Sequence, residues 1–143
     1  MSVLIDTCVI SEFVKRKPNN YVRNWFNQQD ETQLFISAIS LAEIKKGIYK
    51  IKPSQPERAL KLQNWLDRLE LSFSQRILPI NGDVLEQWAQ LSASMERKGN
   101  TLAVMDSLIA ATAHHYGLTI ATRNVNDFNA LPLKIINPFE VAS

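Results

Sequence analysis

Fourteen acidic residues occur in this 143-residue chain, and four of them stand where apolar segments end or begin. Asp6 closes the branched run Val3-Leu4-Ile5, and Glu43 lies in the early turns of a helix that follows Leu34-Phe35-Ile36. Asp106 sits near the start of the most apolar helical segment, and Asp127 comes shortly after a run ending at Thr122. In an open parallel sheet, ligands bind beyond the carboxyl ends of the strands. If these segments are such strands, carboxylates from four distant parts of the chain can converge on one edge.

In isolation each acid has a purely structural reading. Asp6 can cap a helix starting at Thr7, and Ser40-Leu-Ala-Glu43 matches the S-x-x-E capping box. Asp106 can complement a helix macrodipole, and Asp127 is an ordinary turn residue. Two details weaken that set. Ser37 is better placed to cap the helix after Leu34-Phe35-Ile36, which leaves Glu43 too deep for a capping box. Asp106 is surrounded by Leu102, Ala103, Val104, Met105, Leu108 and Ile109, where a lone carboxylate is expected to be poorly solvated. Converging carboxylates also repel by roughly 4 kcal/mol per close pair at an effective dielectric near 20, so without a cation one or more takes up a proton. Such a cluster suits a hard divalent ion bound by oxygen. No cysteine–histidine spacing suits zinc.

The elements that must position these acids follow from periodicity. Val3-Leu4-Ile5, Leu34-Phe35-Ile36, Ile77-Leu78-Pro79-Ile80, Leu118–Thr122 and Leu133–Ile136 read as strands. The first is wholly apolar, as expected where both faces of a parallel sheet are covered. Helical stripes alternate with them: Val9, Ile10, Phe13 and Val14; Tyr21, Val22, Trp25 and Phe26; Leu41, Ile44, Ile48 and Ile51; Leu62, Trp65, Leu66 and Leu69; Val84, Trp88, Leu91 and Met95. Pro18 and Pro53 break helices, Asn81-Gly82 reads as a turn, and Gly99 suits a helix C-terminus. Leu102–Tyr116 is apolar around the whole wheel and predicts a central helix buried on two sides. The alternation predicts a single α/β domain, 1–143, with a parallel sheet and right-handed crossovers.

Composition sets few further limits. Hydrophobic residues make up 45% and charged residues 21%, as in ordinary globular proteins. A net charge of +2 permits a nucleic-acid partner without requiring one. The single cysteine, Cys8, allows no internal disulfide. With no basic leader at Met1 and no long uncharged apolar stretch, a soluble, cytoplasmic protein without membrane contact is expected. Lys15-Arg16-Lys17, Lys45, Lys46, Lys50 and Lys52 can steer phosphates or simply solvate helix faces. Arg123 is nearer the acids in sequence. His114 and His115 suit a helix C-terminus, and Trp25, Trp65 and Trp88 lie at core spacing.

Four segments then carry a resemblance: Leu4-Ile-Asp-Thr-Cys-Val-Ile-Ser11, Ile39-Ser-Leu-Ala-Glu-Ile44, Met105-Asp-Ser-Leu-Ile-Ala-Ala-Thr-Ala113 and Ala121-Thr-Arg-Asn-Val-Asn-Asp-Phe128. In this order and spacing the chain resembles PIN-domain proteins, most nearly the VapC-type toxins of bacterial toxin–antitoxin pairs. The resemblance implies a PIN-like three-layer sandwich and an endoribonuclease dependent on Mg2+ or Mn2+. It also implies a homodimer held inactive by a cognate antitoxin protein. Asp6, Glu43 and Asp106 match the family's metal-binding acids. Thr7 matches the hydroxyl residue after the first acid, and Thr122 the hydroxyl near the site.

The fourth acid is divided: Asn124 stands where members often carry aspartate, whereas Asp127 matches a later acid. Cys8 replaces an asparagine or serine, so a hydrogen bond near the site is expected to be missing, and Cys8 reads as packing rather than nucleophile. A dehalogenase-like phosphatase would need aspartate at position 8, where Cys8 stands. The other alternative is a noncatalytic RNA- or protein-binding PIN relative, against which the intact Asp6, Glu43 and Asp106 argue.

Overall fold

The computed structural model describes residues 1–140. Five strands form one all-parallel sheet: β1 (Val3–Ile5), β2 (Leu34–Ser37), β3 (Ile77–Leu78), β4 (Thr119–Ala121) and β5 (Ile135–Ile136). Their spatial order is β3-β2-β1-β4-β5. The first strand is therefore central, and Ile5 lies opposite Ala121 on β4. That register makes Asp6 and Thr122, the next residues of the two chains, neighbours at the carboxyl edge.

Side chains on β1 alternate between two cores, as the strand period of two requires. Val3 and Ile5 join Val22, Ile36, Leu41 and Leu66 on one face. Leu4 joins Ile109, Ala113, Ile120 and Phe128 on the other. Helices thus cover both faces, and the three-layer α/β sandwich expected from the sequence is the observed architecture.

Among the described residues seven α-helices connect the strands: α1 (Thr7–Ile10), α2 (Asn20–Asn27), α3 (Ala38–Ile51), α4 (Pro56–Ser72), α5 (Gly82–Arg97), α6 (Val104–Tyr116) and α7 (Val125–Phe128). Their ends are written in local chemistry. Ser37 caps α3 by accepting from Ile39 N, Pro56 opens α4, and Gly99 and Gly117 take the left-handed conformation after α5 and α6.

Three expectations need correction. Asn81-Gly82 is no turn: Asn81 caps α5 through Val84 N, and Gly82 begins the helix. The first helical stripe is split, since α1 ends at Ile10 and a 3-10 turn carries Ser11–Val14. The third concerns α6, which starts at Val104 instead of Leu102. It is buried from Ile109 to Ala113, but its first turn projects into solvent, with Val104 61% and Met105 43% exposed. The apolar wheel therefore did not mean burial at both ends.

Candidate active site

Asp6 is the N-cap of α1 and also the centre of a hydrogen-bond cluster. Its carboxylate is 3% exposed. Oδ1 accepts from Thr7 N at 2.8 Å, and Oδ2 accepts from the Thr122 hydroxyl at 2.8 Å. The capping reading was correct but incomplete, because the second oxygen is held across the sheet edge by a residue 116 positions away. The thiol of Cys8 also donates to Oδ2, with Sγ at 3.5 Å. The bond expected to be missing at Cys8 is present in weak form, at the longer separation that a thiol donor allows. Burial first, and then the Asp6 charge, push the Cys8 thiol above its ordinary value, which fits a protonated donor and no nucleophile.

Thr7 links the first acid to the second. Its Oγ1 lies 2.9 Å from Glu43 Oε1 and 2.9 Å from the hydroxyl of Ser40. Thr7 has a single hydroxyl proton, so the two contacts are made together when Thr7 donates to Glu43 and accepts from Ser40. Ser40 is fully buried. The Ser40-x-x-Glu43 spacing is therefore no capping box, since Ser37 is the cap. Three residues apart on α3, the two side chains share a helix face and clasp Thr7. Sequence reasoning missed Ser40, although that spacing was its signal.

Asp106 occupies the first turn of α6. Its carboxyl is raised to about 6, by burial first and then by the charges of Asp6, Glu43 and Asp127. All four predicted acids thus act on one region. Trp88 of α5 holds this turn: its indole Nε1 donates to Ser107 Oγ at 2.8 Å, and Ser107 donates to Val104 O at 2.6 Å. Trp88 is thereby distinguished from Trp25 and Trp65, which pack against the core around β1.

The fourth corner is exposed. Asp127 lies on α7 with its side chain in solvent, and its charge reaches Asp106. Asn124 contributes backbone rather than side chain, its N donating to Thr122 Oγ1 at 3.0 Å. Thr122 is consequently fixed from both sides. The lysines proposed to steer phosphate are partly committed elsewhere, with Lys15 paired to Glu12 at 2.9 Å and Lys45 to Glu70 at 3.2 Å. Glu12 is a buried acid that sequence reasoning overlooked. It is 4% exposed and accepts from Asn19 N at 2.9 Å, tying the 3-10 turn to the start of α2.

The donor set fits a hard cation: oxygen ligands from carboxylates, with hydroxyls orienting them and no histidine nearby in the cluster. Among the described residues no three acidic, histidine or cysteine side chains lie close enough together to hold a metal ion by themselves. Magnesium keeps several waters and takes only one or two carboxylates directly, so an open arrangement suits it.

Residues 3–132 match the PIN domain family. The chain is 36% identical to the VapC ribonuclease Y4jK of Sinorhizobium fredii over 141 residues, covering 98% of this chain and 99% of that protein. It is 34% identical to the plasmid stability protein StbB of Pseudomonas syringae pv. tomato, over 96% of this chain and 99% of the relative. Among solved structures, the fold superimposes on FitAcB from Neisseria gonorrhoeae with a TM-score of 0.90 and 31% identity, covering 97% of this chain and 99% of that one. DNA-bound VapBC from Salmonella typhimurium gives a TM-score of 0.75 at 27% identity, covering 96% and 98%. With the sheet order, the acidic edge and these similarities in agreement, the chain belongs to the PIN-domain family.

Proposed function

We propose that this protein is an endoribonuclease that hydrolyses RNA phosphodiester bonds with Mg2+ or Mn2+, and that it is the toxin of a toxin–antitoxin pair. The observation that carries the reading is the state of the Asp106 carboxyl, which is raised by burial first and then by the charges of Asp6, Glu43 and Asp127. Like charges acting on a partly buried carboxyl cost stability unless a cation or proton relieves them. Relatives named as ribonucleases and a toxin support the same reading, as do the toxin–antitoxin complexes among similar folds.

In this reading Asp6 and Asp106 hold the principal ion, and Glu43 reaches it through water. Such an ion, when bound, activates water and offsets charge on a phosphate undergoing displacement. Thr7 fixes one oxygen of Glu43, leaving the other to orient the attacking water. Thr122 and Thr7 N fix Asp6. Asp127 supplies an outer, solvent-facing carboxylate at the fourth corner. In-line attack leaves 5′-phosphate and 3′-hydroxyl ends.

Residues 1–143 act as one domain, working as a homodimer in the cytoplasm under an inhibitory antitoxin. A basic antitoxin side chain set against this acidic edge is electrostatically complementary.

The decisive experiment compares wild type with Asp6→Asn on cellular RNA in Mg2+, Mn2+ and EDTA, with folding checked by circular dichroism. Cleavage is expected only for wild type with metal. Undiminished cleavage by Asp6→Asn overturns the active-site assignment. Absence of cleavage by wild type under all conditions favours a noncatalytic binding protein.

A further inference from the structure

The pairing of β4 with β5 does more than position Thr122. Ala121 lies opposite Ile136, and Thr122 N donates to Ile136 O at 2.9 Å. The chains leaving these two strands therefore run side by side at the carboxyl edge. On one, Arg123 directly follows the hydroxyl that holds Asp6. On the other, Asn137 accepts from Phe139 N through Oδ1 at 3.0 Å, a local turn that fixes where Phe139 is presented. The Arg123 guanidinium lies over the Phe139 ring, 3.8 Å from its centroid.

A stacked arginine is often structural, and Arg76 shows what that looks like. It lies over Phe73 at 4.5 Å, but its nitrogens also donate to the carbonyls of Leu34 and Ser72. Arg123 differs. Among the described residues its guanidinium enters no hydrogen bond and no ion pair, and the side chain is exposed. Stacking restrains the planar fork while leaving its donors unused, which lowers the ordering cost of a bidentate contact.

The groove beside it measures about 490 Å³ and is lined by Arg123, Asn124, Asn126, Asp127 and Asn137 among others. It shares Asp127 with the acidic edge. A ligand there meets one fixed cation and three neutral amides, but also the carboxylates of Asp127 and Glu140. A tetrahedral anion can present two oxygens to the Arg123 fork while the neutral amides donate to the others.

We infer that this groove is a subsite for the backbone of single-stranded RNA next to the cleaved bond, with Arg123 contacting a phosphate. The inference rests on the ribonuclease reading above. Its test is binding of a short fluorescein-labelled single-stranded RNA of mixed sequence, followed by anisotropy in EDTA across a salt series. Arg123→Ala is expected to weaken low-salt binding roughly fivefold to tenfold, the effect of one charge-assisted contact. It should also reduce the log–log salt slope by about 0.7, the value for one phosphate contact on a single strand. Arg123→Lys keeps the slope but loses part of the affinity. Lys134→Ala, an exposed cation preceding β5 at the opposite edge, leaves both unchanged.

Wild-type affinity and slope in Arg123→Ala overturn the subsite while wild type still binds and cleaves RNA. If Arg123→Ala fails to fold, unchanged affinity in both Arg123→Lys and Phe139→Leu overturns it equally. Failure of wild type to bind or cleave any RNA is a separate result: it removes the ribonuclease reading, and the subsite with it.

Discussion

The hydroxyl of Thr7 lies 2.9 Å from Glu43 Oε1 across 36 residues of sequence. This contact joins the end of β1 to the interior of α3 and sets which carboxylate oxygen of Glu43 stays free. Because Thr7 N also holds Asp6, one residue orients two acids, by backbone for the first and side chain for the second.

Thr7→Val tests this link, since it keeps shape and removes the hydroxyl. It leaves the buried Ser40 hydroxyl without this partner, at a cost of about 1–3 kcal/mol, readable as a lower urea midpoint. Mn2+ binding by titration calorimetry should weaken as well. Thr7→Ser, which keeps the hydroxyl, should restore most of the metal affinity. A valine variant with wild-type affinity for Mn2+ would show that the contact is only structural.

Asp106 gives the metal-free protein a pH dependence of defined sign. Its carboxyl is raised in the fold to about 6, from an ordinary 3.8. The folded state therefore binds the proton more tightly than the unfolded one. Stability from this group is fully present below the unfolded value and is lost as pH rises through about 6. In EDTA the denaturation midpoint should fall over that window, and Asp106→Asn should flatten the fall. Adding Mn2+ at neutral pH should restore stability, by about 2.7 kcal/mol at a hundredfold excess over Kd. The asparagine variant should gain far less.

Glu12 behaves in the opposite sense. Burial pushes its carboxyl up, but the Lys15 ammonium and the Asn19 amide outweigh this and hold it below its ordinary value. Its contribution to stability is present above the unfolded value near 4.5 and is lost as pH falls further, through the folded value. Glu12→Ala orphans Asn19 N and should destabilise by about 1–3 kcal/mol. Cleavage per folded molecule should persist, as a nuclease assay normalised to the native fraction would report.

Cys8 should resist alkylation. Its thiol is half-buried and is pushed up by burial and by Asp6, so little thiolate forms at neutral pH. Asp6→Asn removes the charge and should speed reaction with iodoacetamide, followed by mass spectrometry. Equal rates in the two proteins would mean that burial alone protects the sulfur.

The types of the chemical residues were legible in the chain, and so were most of the elements carrying them. Strand runs such as Val3-Leu4-Ile5, the Ser37 cap and the glycine after α5 are local signals, decided by sterics and hydrogen bonding within a few residues. For the same reason Asp6 could be placed at a strand end and Glu43 beyond the reach of a capping box. Asn81-Gly82 was misread because a turn pair and a helix cap use the same residue chemistry. The apolar start of α6 was misread because periodicity reports which residues can be buried, and only packing decides which are.

Tertiary structure decided the rest. The order β3-β2-β1-β4-β5 makes β1 and β4 neighbours, so Thr122 reaches Asp6 and Arg123 emerges beside Phe139. Nothing in the local sequence around Asp6 specifies a partner 116 residues away. The burial of Glu12 could not be read from spacing, and the Ser40–Glu43 spacing put two side chains on one helix face without specifying Thr7 as the residue they clasp. Hydrogen bonds of this kind exist only after strand pairing brings distant side chains within 3 Å or so of each other. The sequence determined that the chain carries carboxylates just after β1, within α3, in the first turn of α6 and on α7; strand order and register determined that they share one field.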